Sequence, residues 1–248
     1  MSENPYEAPS ESTPPLVLSG QPTVSPYGPY RETKGLAWSV VISLAITGII
    51  SGAQIFTFSS LIDANSRLYD DPDAVADINK WADATDTLTY AELLVFIVTV
   101  VLWCVWKNLS CKNAWLFRSK SGLANPMSSG DVFTPGWAVG WYFIPIAHLW
   151  KPFQAMSFIR NQVSDTFQGG AILGIWWTTW IIINFASRAL SRDIGGDTIE
   201  EINAFNERMM IDCGITIVAI IPAALVILSI TKAQYRKHQS LESIQATT

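Results

Sequence analysis

Histidine, cysteine and charge are all scarce in this chain, and each shortage removes a class of chemistry. The two histidines in 248 residues, His148 and His238, do not supply the facing pair of axial ligands expected of a membrane haem. Three cysteines, Cys104, Cys111 and Cys213, make neither a disulfide framework nor a CxxC metal site. They read as structural thiols, in the core or beside the membrane. Charged residues are 15% of the chain and form no basic block of the kind that binds nucleic acid. HExxH, GxSG on an apolar segment and a pair of aspartates within one are all missing, as is the D-x-D-x-D-G pattern of a calcium loop. No catalytic residue, cofactor or metal ligand is therefore assigned from the sequence, and the reading leans away from an enzyme.

Apolar surface, by contrast, is abundant. Hydrophobic residues are 49% of the chain, with eleven tryptophans among them, and the mean hydropathy is +0.25. This is the composition of an integral membrane protein. A spanning helix needs ~20 mostly apolar residues, and four stretches qualify, at about 36–58, 88–106, 169–187 and 211–230. The pattern predicts an all-α, polytopic membrane helix bundle with the lipid bilayer as its first partner. GxxxG pairs at Gly48/Gly52, Gly136/Gly140 and Gly170/Gly174 are positions where missing side chains let helices approach closely. Glu92 and Asp212 fall near the first turns of their spans, where a carboxylate complements the helix N-terminus. Asn184 is expected to bond a neighbouring helix, and Pro222 to kink the last span.

Between and around the spans the chain is polar. Residues 1–34 are rich in Pro, Ser, Tyr and Glu and are expected to be disordered. They lack the basic start, apolar run and cleavage site of a signal peptide, so the first span is expected to act as an uncleaved signal-anchor. The two long connections are acidic and are expected to carry short helices over the outer end of the bundle. In the first, Asp71-Pro72 reads as an N-cap followed by an N1 proline, with Val75, Ile78 and Ala82 on one face. In the second, Asp197 and Glu200 resemble a capping box, and Ile199, Ile202, Phe205 and Met209 form an apolar stripe. Lys107, Lys112, Arg118 and Lys120, interleaved with Trp106, Trp115 and Phe117, read as a helix leaving the membrane along its surface. A break at Gly122–Gly130 follows, and residues 233–248 are a polar tail.

The organising stretch is residues 135–161, apolar but cut by Pro145 and Pro152 and interrupted by His148 and Lys151. Proline removes a helical hydrogen bond and clashes with the preceding turn, and broken backbone survives in lipid only where protein or a water-lined cavity covers it. The reading is two half-helices, about 135–144 and 152–161, joined by a break at 145–151 and shielded by other helices. If this wedge enters and leaves on one side, Arg31, Lys34, Lys107, Lys112, Arg118, Lys120, Lys151, Arg160, Lys232, Arg236 and Lys237 share that side, against Arg67, Lys80, Arg188, Arg192 and Arg208. Eleven against five, where a full crossing would make it nine against seven, places both termini in the cytoplasm.

The run Pro135-Gly136-Trp137-Ala138-Val139-Gly140-Trp141, then Pro145-Ile146-Ala147-His148-Leu149-Trp150-Lys151-Pro152, then Gln154-Ala155-Met156, resembles the signature of the DUF4328 membrane proteins of bacteria. Trp176-Trp177-Thr178-Thr179-Trp180 and Asn184 resemble its later WW-x-x-W segment. The resemblance covers about residues 88–192, with His148 standing where the family usually shows Asn. It implies a bacterial cytoplasmic membrane protein and this architecture, but no reaction, since the family is a domain of unknown function.

Two functional classes remain. One is a non-catalytic multi-pass protein acting as scaffold, assembly factor or sensor through its loops and tails, with protein partners or self-association left open. The other is a small transporter or channel component with its site at the break, where His148 and Lys151 would be the polar groups. The structural alternative for those two residues is that Lys151 snorkels to the interface and His148 bonds a freed backbone carbonyl.

Overall fold

Long stretches of this chain carry no helix breaker. Residues 74–120 contain neither glycine nor proline, and in the computed structural model they form one uninterrupted helix. The structure describes residues 25–120, 133–163, 170–190 and 198–247. The helices are α1 (Lys34–Ser66), α2 (Ala74–Lys120), α3 (Pro135–Gly140), α4 (Lys151–Asn161), α5 (Gly170–Leu190) and α6 (Ile199–Thr247), with no strand among the described residues. The fold is all-α, and α1, α2, α5 and α6 are each long and apolar enough to cross a membrane.

These four helices alternate in direction. Residue pairs along their length show it: Arg31 with Asn113 and Gln54 with Glu92 between α1 and α2, Asn65 with Asn203 between α1 and α6, and Ser187 with Asp212 between α5 and α6. One end of the bundle therefore carries Lys34, Lys107, Lys112, Arg118, Arg160 and Lys232, and the other carries the acidic turns.

α5 matches the stretch expected from hydropathy closely, whereas α1, α2 and α6 run far beyond theirs. At ~1.5 Å per residue the 47 residues of α2 and the 49 of α6 reach about 70 Å, more than twice the ~30 Å hydrocarbon layer. The separate short helices expected in the acidic connections are instead the first turns of α2 and α6. The segment expected along the membrane surface is the last part of α2, and most of the expected polar tail is the last part of α6. Pro222 is buried within α6 and does not end it.

Helix starts also differ in detail. The first residue of α2 is Ala74, so Asp71 caps the preceding turn, its carboxylate accepting from the Asp73 N–H at 2.9 Å. The capping box of α6 is Thr198 with Glu201, one residue later than Asp197 with Glu200. The Glu201 N–H donates to Thr198 Oγ1 and the Thr198 N–H to Glu201 Oε2, both at 3.3 Å. Asp197 lies outside the described residues, as do residues 1–24 and the break at 122–130.

Residues 25–33, expected as part of a disordered segment, pack on the basic end. Tyr27 meets Trp115 edge-on with centroids 5.7 Å apart, and Tyr30 stacks on His238 at 3.9 Å. Asn113 exchanges two hydrogen bonds with the backbone of Arg31, at 3.0 and 2.8 Å. Asn113 and Thr33 also donate to Gln234 Oε1, and Gln234 Nε2 donates to the Ser110 carbonyl at 3.1 Å. This buried amide network joins the N-terminal segment, α2 and α6. At the acidic end Phe58 and Leu61 of α1, Ile78 and Trp81 of α2, and Met209 and Cys213 of α6 form a second apolar cluster. Met209 of the expected stripe is in it, while Ile202 is exposed. Arg67, in the turn between α1 and α2, bonds Asp63, Asp71 and Asp77. Asp77 is the first cause that raises its guanidinium above the ordinary value.

Candidate functional site

Residues 133–163 form an insert against the basic end of α2 and the first half of α5. Thr134 caps α3, its hydroxyl accepting from the Trp137 N–H at 3.4 Å, and Pro135 takes the first turn. A 3-10 turn, Trp141–Phe143, follows Gly140. Ile144 is extended, as a residue before proline should be. Ile146 has a φ of 69°, a left-handed conformation costly for a β-branched side chain. A second 3-10 turn, Ala147–Leu149, leads into α4 with Pro152 in its first turn. The break expected at 145–151 is thus present, with the first half-helix ending earlier than expected. At 6 and 11 residues, α3 and α4 are about 9 and 16 Å long and too short to cross. Phe133 bonds α2 at Cys111 and Trp115, and Arg160 at the end of α4 lies against Gly170, so the insert enters and leaves at one end of the bundle.

Backbone freed by this irregular path is met by side chains of the neighbouring helices. The Phe133 carbonyl accepts from Trp115 Nε1 at 2.9 Å and from the Cys111 thiol at 3.4 Å. The Leu149 carbonyl accepts from Trp177 Nε1 at 3.1 Å. Lys107 of α2, fully buried, donates to Tyr142 Oη at 3.1 Å and to the Pro152 carbonyl at 3.3 Å, and its ammonium sits 4.2 Å from the centre of the Tyr142 ring. No carboxylate pairs with it among the described residues. Lys107 thereby pins the two halves of the insert, one through Tyr142 and the other through Pro152. An aromatic wall backs them: Trp177 stacks on Trp180 at 4.6 Å, and Trp176 lies 5.5 Å from Trp103.

The residues singled out from sequence are therefore dispersed along the insert. His148 makes no side-chain hydrogen bond among the described residues. Its ring stands edge-on to Trp180 at 5.8 Å, so the expected bond to a freed carbonyl is replaced by an aromatic contact. Lys151 Nζ lies 5.8 Å from the rings of both Phe133 and Trp141. Trp137 packs on Trp141 at 4.8 Å and is half exposed, as is Trp150. Gln154 donates its N–H to the Trp150 carbonyl within the first turn of α4. Pro135 and Pro152 are buried, while Pro145 is exposed at the break.

The GxxxG expectation of a tight helix approach holds at Gly48, and at Gly170 a Cβ would meet the Arg160 guanidinium of α4 at 3.5 Å, an ordinary contact. A Cβ on Gly48 would come within 3.2 Å of Ile220 Cδ1 on α6, whereas Gly52, Gly136 and Gly174 face open space. Gly140 meets only the ring of Trp137, on its own helix. Asn184 likewise turns inward to its own helix, donating to the Trp180 carbonyl at 2.8 Å.

Sequence reasoning missed Lys107, which it assigned to a helix leaving the membrane along its surface. The available signal was its spacing: Trp103, Lys107 and Cys111 share one helical face. It also missed Gln54, which donates to Glu92 Oε2 at 2.9 Å and accepts from the Cys213 thiol at 3.5 Å. Because α2 begins at Ala74, Glu92 lies well inside the helix and is held by a partner from α1 rather than by the helix N-terminus.

The fold and insert define a class: an all-α bundle of four helices long and apolar enough for a bilayer, with a proline-broken segment braced by a buried lysine. The DUF4328 family model, described as a domain of unknown function, matches residues 70–232. The chain belongs to this family. Comparison with curated proteins and with solved structures finds no match.

Proposed function

We propose that the protein is a non-catalytic, multi-pass protein of the bacterial cytoplasmic membrane, with both termini cytoplasmic, acting as a scaffold, assembly factor or sensor through the helix ends that project from the bundle. The observation that carries this reading is the sealing of the insert. The carbonyls of Phe133, Leu149 and Pro152 are taken by donors from α2 and α5, and Lys107 spends its ammonium on the same task. A break used for transport keeps such groups free for a substrate or ion, whereas here they hold helices together. The projecting ends of α2 and α6 then offer the surfaces on which partners would act.

A second reading, a small transporter or channel component, rests on His148 and Lys151, whose side chains make no hydrogen bond among the described residues. The two separate by measuring abundance and the phenotype of a deletion strain together. Under the scaffold reading His148→Asn and Lys151→Gln leave both unchanged. Loss of function at normal abundance in Lys151→Gln would overturn it in favour of transport.

A further inference from the structure

The basic end of the α1–α6 pair holds a cavity of about 330 Å³, lined in part by Tyr30, Lys34, Trp38, Leu228, Lys232 and Tyr235. Lys34 and Lys232 are exposed, and neither makes an ion pair or hydrogen bond among the described residues. Among the described residues no carboxylate lines the cavity. Two ammonium groups bordering one space raise its potential and favour an anion there. Apart from Thr231, whose hydroxyl accepts from Trp106 Nε1, the remaining wall is apolar and aromatic, with Trp38 and Tyr235 half exposed, the residues that favour the level of lipid headgroups. Ile42 and Ile46 lie one and two turns from Trp38 on the same face of α1, and Leu225 and Ile221 do so from Leu228 on α6. All four are exposed. The cavity therefore opens along its length onto two apolar strips.

We propose that this cavity binds an anionic diacyl phospholipid, its phosphate between Lys34 and Lys232 and its acyl chains along the α1 and α6 strips. The inference rests on the membrane placement of the helices and is independent of the scaffold role. A free phosphate would satisfy the lysines but leave the apolar wall in water, and a zwitterionic lipid would bring its own cation to the two ammonium groups.

Native mass spectrometry of the full-length protein in mild detergent tests it, with phosphatidylglycerol, phosphatidylcholine and inorganic phosphate as probes. Phosphatidylglycerol is expected to be retained well above phosphatidylcholine, and inorganic phosphate is expected not to displace it. Lys34→Gln with Lys232→Gln should weaken phosphatidylglycerol retention on the order of thirtyfold. The same loss of charge at two lysines that do not line the cavity, Lys112→Gln on α2 with Lys151→Gln on the insert, should change it less than about twofold, since only a diffuse field is altered. Both cavity lysines are exposed, so the melting temperature should be unchanged. Wild-type retention in the cavity variant, an equal loss in the control, or displacement by inorganic phosphate would each overturn the proposal.

Discussion

Lys107 shows how much one side chain decides in a protein of this kind. Its ammonium replaces the hydrogen bonds that water would give to Tyr142 and the Pro152 carbonyl, and its stem fills volume between α2 and the insert. Lys107→Ala removes both and should cost roughly 2–5 kcal/mol, the range for emptying a large buried position. Lys107→Met keeps the volume but leaves Tyr142 Oη and the Pro152 carbonyl without their donor, so it should cost less than alanine but still about 1–3 kcal/mol. Thermal unfolding in detergent checks the order. Equal melting of the alanine variant and wild type would show that the insert does not depend on this residue. Gly48 makes a second contrast. Gly48→Leu overpacks against Ile220 on α6 and should cost about 1–3 kcal/mol, whereas Gly136→Leu meets open space and should leave folded yield unchanged. The reverse ranking would mean that the insert, and not the α1–α6 seam, is the close contact.

At the scale of elements, the long helices make single rods of what hydropathy divides into span, loop and tail. The first turn of α6 is set by a small polar device. Thr198 and Glu201 close the start of α6 reciprocally, so Thr198→Ala should destabilise that turn by about 0.5–2 kcal/mol. Hydrogen exchange would show it as faster exchange in the first turns of α6, with the apolar part of the helix unaffected. Uniform acceleration along the helix would instead indicate that its start and its middle unfold together.

For the whole molecule, alternation of the four helices gathers most basic residues at one end and the acidic starts of α2 and α6 at the other. The proposed topology makes the basic end cytoplasmic. Single cysteines at Ser66 and Ser240, both exposed, report opposite ends when Cys104, Cys111 and Cys213 are replaced. A membrane-impermeant thiol reagent should label Ser66→Cys in intact cells and miss Ser240→Cys until the cells are opened. Labelling of Ser240→Cys in intact cells would overturn the orientation.

Hydropathy and breakers alone determined the all-α class, the four apolar stretches and the break between Pro145 and Lys151, because each depends on properties of consecutive residues. The signature around Gly136, Trp141 and Lys151 was likewise legible, and it led to the family without leading to an activity. Tertiary structure decided which polar residues matter. Lys107 carries the same charge as Lys112 and lies one turn from Cys111 as any exit lysine would; only the position of Tyr142 and Pro152 makes it a buried brace. Glu92 read as a helix-end carboxylate until α2 was seen to begin at Ala74 and Gln54 to reach it from α1. Partners so distant in sequence leave no local pattern, since a buried hydrogen bond is specified by the approach of two helices and not by the composition of either.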